Sequence, residues 1–101
     1  MEENRLFNNW QRALIVSLQL PHKSNAEVQS SLEEMASLTY SLGGEVAGKI
    51  VQARSQIHPA YFFGKGKLDE IKLTLKNEAV DAMLVDNQLS PKQTQNLEKI
   101  L

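Results

Sequence analysis

The sequence contains no cysteine, which excludes disulfide bonds, thiolate metal ligands and a thiol nucleophile. Its two histidines, His22 and His58, have no second histidine or carboxylate at ligand spacing, so we do not expect a metal site. No apolar run approaches the roughly 18 residues that a membrane span requires. Acidic residues at Glu2 and Glu3 stand where an export signal would carry positive charge. We therefore expect a cytoplasmic protein without a membrane anchor.

Charge and hydrophobicity are balanced over the chain. The 101 residues are 42% apolar and 23% charged, with a formal net charge of -1. This length and composition predict one globular domain with a single modest core. Because the chain is nearly neutral, any attraction to nucleic acid has to come from a local cluster of charge.

Three segments have the hydrophobic pattern of strands. Residues 13–20 are continuously apolar before they begin to alternate, which is typical of a strand buried on both faces. Residues 45–53 and 82–86 are the second and third predicted strands. Pro21 ends the first of them, because proline cannot continue the hydrogen-bonded ladder.

A helix is predicted between the first two strands. Ser24 and Glu27 form a capping box at its start, and Gly43 and Gly44 close it. The spacing of its apolar residues predicts one buried stripe, made of Val28, Leu32, Met35, Thr39 and Leu42.

Two further helices follow the second and third strands. The second helix begins after Gly66 and is expected to bury three residues, Leu68, Ile71 and Leu75. The third has a clear start, because Ser90 can cap it, Pro91 suits its first position and Gln93 can reach back to the cap.

The alternation of strands and helices predicts the α/β class, with a small parallel sheet of three strands in the order βαβαβα flanked by helices. Residues 1–12, which include Phe7 and Trp10, are interpreted as an amino-terminal arm that packs on the sheet edge or on another domain. Residues 13–101 are interpreted as a single α/β domain. The apolar stripe of the third helix reaches Leu101 without a stop signal, so we expect a truncated helix there.

Basic residues are concentrated at one predicted corner of this fold. Residues 46–68 contain no Asp or Glu, and their basic residues are Lys49, Arg54, Lys65 and Lys67. Gly64 and Gly66 are expected to let the backbone bend tightly and approach a ligand, while the helix behind them presents unpaired N–H groups. A phosphate, free or in a nucleic acid, is the predicted ligand. The alternative is an ordinary solvated loop.

Aromatic residues precede the glycine-lysine turn. Tyr61 is the best candidate for an exposed ring that stacks on a base. At least one of Phe62 and Phe63 is expected to anchor the loop in the core, because three exposed rings in a row would be adhesive.

Nucleotide binding and catalysis by this chain are not expected. Gly43, Gly48 and Lys49 have the spacing of a Walker A motif, but Ile50 stands where Ser or Thr must hold magnesium, and the segment leads from a helix into a strand. Asp86 follows a buried strand, and we favour a role in the turn over catalysis. No nucleophile with a base partner and no paired carboxylates can be assembled, so no catalytic residue is assigned.

Two stretches carry a further signal: residues 58–71, with the sequence HPAYFFGKGKLDEI, and a later cluster formed by Asp86, Leu89, Ser90, Pro91, Gln93, Asn96, Leu97 and Glu98. Together they resemble the amino-terminal domain of HflX-type ribosome-associated GTPases. Three positions depart from that family's pattern, namely His58, Phe62 and Lys65, and of these Lys65 adds to the local positive charge.

The resemblance implies a cytoplasmic protein that binds the large ribosomal subunit and splits or rescues stalled ribosomes. It also implies that GTP hydrolysis, with its magnesium ion, belongs to a separate domain that follows this one and is absent from this chain. No cofactor is therefore expected in these 101 residues.

Three hypotheses follow. In the first, the domain is non-catalytic and contacts ribosomal RNA through the candidate phosphate-binding residues Arg54, Tyr61, Gly64, Lys65, Gly66 and Lys67. In the second, the same turn holds the phosphate of a regulatory nucleotide. In the third, the domain docks on the downstream GTPase domain and restrains GTP hydrolysis.

Overall fold

Strands and helices alternate along the chain. The computed structural model describes the backbone of residues 4–6 and the whole of residues 11–101. Its elements, in chain order, are β1 (Asn4–Leu6), β2 (Arg12–Gln19), α1 (Asn25–Ser41), β3 (Glu45–Ala53), α2 (Lys65–Asn77), β4 (Ala82–Val85) and α3 (Pro91–Ile100). The α/β class is confirmed, since β2, β3 and β4 are parallel to one another in one sheet and each precedes a helix.

The sheet has the spatial order β1-β4-β2-β3. Strand β1 pairs antiparallel with β4 and was not predicted as a strand. It lies inside the segment interpreted as an amino-terminal arm and runs along the sheet edge. Phe7 and Trp10 lie outside the described residues, so their predicted docking is untested.

Strand β2 is the centre of the fold. Residues 13–18 are all buried, with exposed fractions of 2% or less, as the apolar run at the start of this segment predicted; the buried residues include the polar Ser17. Two parallel neighbours and a layer of helix on each face produce this burial.

Alternate residues of β2 enter two separate hydrophobic clusters. Leu14, Val16 and Leu18 pack in one cluster with residues of the 62–63 segment, α2 and α3. Ala13 and Ile15 pack in the other, which α1 supplies with Val28, Leu32, Met35 and Ala36. Helix α1 therefore covers one face of the sheet, and α2 and α3 cover the other.

The ends of α1 follow the sequence signals. Ser24 and Glu27 form a capping box. The hydrogen bonds of Glu27 with the backbone and the hydroxyl of Ser24 hold the pKa of Glu27 below its usual value. At the other end Gly43 adopts a left-handed φ of +87°, and Gly44 N–H donates to Thr39 O at 3.0 Å, as in a Schellman motif. The prediction that Leu42 is buried was wrong: it is 73% exposed, because it is the C-cap residue and the chain turns away there.

The loop between β3 and α2 is anchored by aromatic rings. Phe62 and Phe63 are 1% and 0% exposed, and their rings meet edge to face with centroids 5.1 Å apart. This confirms the prediction that at least one of Phe62 and Phe63 anchors the loop in the core. The two rings lie in the same cluster as Leu68, Ile71 and Leu97, so they bind the loop to both α2 and α3.

We expect Phe63→Ala to lower the free energy of unfolding by about 3–5 kcal/mol, because it removes a fully buried ring and leaves a cavity. Urea denaturation followed by circular dichroism measures this change. Tyr40→Ala is the matched control, since Tyr40 is 59% exposed on α1 and its loss should cost less than about 0.5 kcal/mol. A loss below about 1 kcal/mol for Phe63→Ala would contradict its role as an anchor.

Candidate phosphate-binding site

The glycine-lysine turn forms the start of α2 and does not lie in the loop. Gly64 is the N-cap, with φ -73° and ψ 157°, and Lys65, Gly66 and Lys67 are the first three helical residues. The prediction that the helix begins after Gly66 was therefore wrong. No side chain in the described part of the chain caps this end, and its first turn contains no acidic residue. The helix dipole and the first N–H groups can therefore attract an anion.

Gly64 packs closely against two side chains, whereas Gly66 faces open space. The N–H of Gly64 donates to Gln52 Oε1 at 2.9 Å. A Cβ at Gly64 would lie 2.9 Å from Gln52 Nε2 and 3.1 Å from Arg54 Nη1, while a Cβ at Gly66 would meet no atom of the described structure within 4 Å. Neither glycine has a positive φ. The expected tight bend lies instead at Phe62, a non-glycine residue with φ 66°.

Arg54 lies directly behind the N-cap. Its Nη1 is buried and, among the residues that the structure describes, has no hydrogen-bond partner. A buried guanidinium donor without an acceptor is costly and uncommon in proteins. An anion at the start of α2 would be attracted by this charge as well as by the helix.

The two lysines of the turn differ in their surroundings. Lys65 has a 92% exposed side chain, and its Nζ lies 3.8 Å from Asp69 Oδ2, which is a weak surface pair. Lys67 has a side chain that is only 23% exposed, and its Nζ donates to Glu70 Oε1 at 3.0 Å. Lys65 is therefore the more available of the two for a ligand.

Lys49 is not part of this corner. In the parallel register Lys49 is opposite Ile15, and this places it on the face of the sheet that α1 covers. Because Lys49 lies within β3, the Walker A spacing that includes it falls on a strand and cannot form a phosphate loop. The basic residues of segment 46–68 therefore do not form one cluster, because Lys49 lies on the α1 face of the sheet, away from the start of α2.

Tyr61 is less available for stacking than the sequence analysis expected. It is partly buried against the larger hydrophobic cluster, and its ring centroid lies 5.5 Å from that of His58. Base stacking on Tyr61 remains a prediction, restricted to the part of the ring that faces solvent.

Helix α3 holds the loop that leads to the site, and this role was missed in the sequence. Gln93 Nε2 donates to His58 O and Pro59 O, both at 3.3 Å, and Asn96 Nδ2 donates to Ala60 O at 2.9 Å. These partners are 34 to 36 residues apart in the chain. The sequence signals for Gln93 concerned only its role in the capping box, which the structure also contains.

Asp86 links the end of β4 to helix α1 at the carboxyl edge of the sheet. Its Oδ1 accepts a hydrogen bond from Ser31 Oγ of α1 at 2.8 Å, so its side chain does more than close the turn. The adjacent Asn87 bonds the backbone N–H and C=O of Leu18, which ties this turn to the end of β2.

A cleft of about 600 Å³ opens beside Asp86. It lies at the carboxyl ends of the neighbouring strands β2 and β4. The helices that follow these two strands cover opposite faces of the sheet, and ligands of α/β proteins often bind where the connections diverge in this way. Its polar lining residues include His22, Lys23, Glu27 and Ser31.

In the described residues no group of three or more His, Cys, Asp or Glu side chains could hold a metal ion. No helix among the described residues is long and apolar enough to cross a membrane.

Comparison with known proteins decides the family. Residues 29–101 match the sequence pattern of the family described as GTP-binding GTPase N-terminal. The chain belongs to this family. The resemblance found in the sequence is thereby confirmed, and the match includes the start of α2 with its two lysines.

The chain is also similar to whole proteins named GTPase HflX. It is 35% identical over its full length to the one from Caldanaerobacter subterraneus subsp. tengcongensis, and covers 22% of that protein. It is 30% identical over 92% of its length to the Flavobacterium psychrophilum protein, again covering 22%. It is 34% identical over 89% of its length to the Escherichia coli protein, covering 20%. The chain thus spans about a fifth of the length of these relatives.

We expect the two glycines of this family segment to respond in opposite directions to alanine. Gly64→Ala should lower the free energy of unfolding by about 0.5–1 kcal/mol, because alanine is a poor N-cap and the new methyl makes the side-chain ends of Gln52 and Arg54 shift. Gly66→Ala should raise it by up to about 1 kcal/mol, because alanine is the better helix former and the position faces open space. Urea denaturation of both variants measures the difference. Stabilisation by both substitutions would show that Gly64 is not closely packed.

Proposed function

We propose that this chain is the amino-terminal domain of a cytoplasmic ribosome-associated GTPase that binds the large ribosomal subunit and acts in ribosome splitting, rescue or biogenesis. Membership of the GTPase N-terminal family and similarity to proteins named GTPase HflX support this proposal. GTP hydrolysis and its magnesium ion are assigned to the part of the relatives that lies beyond this chain. The described residues do not fit such a site, because Lys49 lies within a strand.

The role proposed for this domain is contact with ribosomal RNA through the start of α2. One observation carries it: the buried Nη1 of Arg54, which has no hydrogen-bond partner among the described residues, lies beside a helix N-terminus that none of their side chains caps and that bears the exposed Lys65. Each of these features favours an anion, and together they favour a phosphate oxygen.

The residues of the proposed site have different roles. Arg54 supplies a partly buried charge, and Lys65 supplies an exposed one that reaches a second phosphate. Gly64 lets Gln52 and Arg54 approach the helix start, and Gly66 leaves room above the first turn for the nucleic-acid backbone. Lys67 adds charge from within its pair with Glu70, and Tyr61 offers a partial ring face.

Regulation of the downstream GTPase domain is the second part of the proposal. Helix α3 follows the proposed RNA site in the chain and bonds the loop that carries it through Gln93 and Asn96. Residues after α3 in a longer protein would therefore be mechanically connected to this loop. Comparing GTP hydrolysis by the full-length protein with and without residues 1–101 tests this part.

Binding to the large ribosomal subunit should weaken with salt. Contacts by Arg54, Lys65 and Lys67 predict a slope of about 2 to 3 in log K against log salt concentration. Arg54→Met and Lys65→Ala should each reduce this slope by about 1, since each removes one phosphate contact. Sedimentation or fluorescence titration with purified subunits at several potassium chloride concentrations measures it.

Lys76→Ala is the matched control for the salt experiment, because Lys76 is an exposed lysine in the last turn of the same helix. It should leave the slope unchanged. An unchanged slope in the Arg54 and Lys65 variants would reject the assignment of these residues. Calorimetric binding of ATP or GTP that is lost in Lys65→Ala would instead favour the regulatory nucleotide module.

A further inference from the structure

We propose that His58 is a pH-dependent conformational switch for residues 58–64. In the unprotonated state its ring orders the loop that leads into α2, and protonation releases that order. This inference concerns the conformation of the loop itself and does not depend on RNA binding.

The imidazole of His58 acts as an acceptor for the turn that follows it. Its Nδ1 accepts hydrogen bonds from the backbone N–H groups of Ala60 and Tyr61, each at 3.1 Å. An Asn or Asp oxygen commonly plays this part in turns, and here a histidine nitrogen occupies the same place before Pro59. The arrangement requires a lone pair on Nδ1.

Protonation of the ring is incompatible with these bonds. In the imidazolium form both ring nitrogens are donors, so Nδ1 can no longer accept from Ala60 and Tyr61. His58, Ala60 and Tyr61 are all partly buried, so the two N–H groups would lose their acceptor in a place that bulk water reaches only in part. The loop must rearrange to give them new partners.

The turn is also conformationally strained, which makes it sensitive to this loss. Phe62 has φ 66°, an unfavourable region for a bulky residue. It exchanges two backbone hydrogen bonds with His58, from His58 N–H to Phe62 O at 3.1 Å and from Phe62 N–H to His58 O at 2.9 Å. Such a conformation persists only while its surroundings hold it, and the ring of His58 is one of those supports.

The hydrogen-bond and ring partners of the His58 turn that the structure describes are neutral. Within the described residues no carboxylate forms an ion pair with it, and the titratable side chain in ring contact with it is Tyr61. From α3, the neutral amides of Gln93 and Asn96 bond the carbonyl groups of the same turn. The hydrogen bonds at Nδ1 can be made by the neutral ring alone.

The switch predicts a direction that an RNA-contacting histidine would not show. A histidine that touches phosphate gains a positive charge on acidification and binds more tightly. Here acidification disorders the segment that ends at Gly64, the N-cap of α2, so any function of that corner should weaken at low pH.

Amide hydrogen exchange of the 15N-labelled chain tests this inference. Protection factors of the Ala60 and Tyr61 amides, corrected for intrinsic exchange rates, are compared at about pH 5.5 and 7.5, on either side of ordinary histidine titration. We expect them to fall about tenfold or more at the lower pH. The amide of Ile15 in the central strand should keep its protection, which shows that the core stays folded.

Two variants complete the experiment. His58→Asn retains an acceptor oxygen near the position of Nδ1 and cannot titrate, so both amides should stay protected at both pH values. His22→Asn removes the other histidine, which is exposed, and should leave the pH effect unchanged. Equal protection of the wild-type amides at both pH values, or an unchanged pH effect in His58→Asn, would overturn the inference. If His58→Asn does not fold, the wild-type comparison decides alone.

Discussion

The double burial of β2 is the constraint on which the rest of the structure depends. Its apolar residues alternate between two clusters, so a helix layer is needed on each face. Helix α1 supplies one layer, and α2 and α3 supply the other. The chain must therefore pass from one face to the other between β3 and α2, and the loop of residues 54–64 makes that passage. The candidate site lies where this loop ends.

The loop is held by polar contacts as well as by its aromatic rings. Side chains of α3 donate hydrogen bonds to its carbonyl groups, and the ring of His58 accepts hydrogen bonds from its N–H groups. The N–H of its last residue, Gly64, donates to Gln52 on β3. Two separate elements, β3 and α3, and one residue of the loop itself therefore determine where Gly64 lies. These contacts make a long connection into an ordered support for the first turn of α2, and such order would reduce the entropy lost by a ligand of the proposed site.

The parts of the fold that could be predicted are those encoded by local signals. Capping boxes at Ser24 and Ser90 and the apolar run of β2 identified helices and strands close to their observed bounds. The order of the strands could not be predicted, because it depends on contacts between distant segments. Strand β1 was missed because three residues are too few to show a period, and the start of α2 was misplaced because Gly64 caps it without a side chain. Phe62 adopts a backbone conformation that its residue type argues against.

Strand β3 occupies an edge of the sheet, and this position has a consequence for the behaviour of the protein in concentrated solution. An edge strand presents backbone groups that can recruit a strand from another molecule and so begin aggregation. Lys49 lies at the middle of β3, and the irregular register between Ala13 and Leu14 interrupts the regular pleat beside it. A strand of a second molecule that paired with β3 would lie against the charged side chain of Lys49, which is unfavourable. The lysine that takes no part in the candidate site is thus a feature that disfavours edge-to-edge pairing of two molecules.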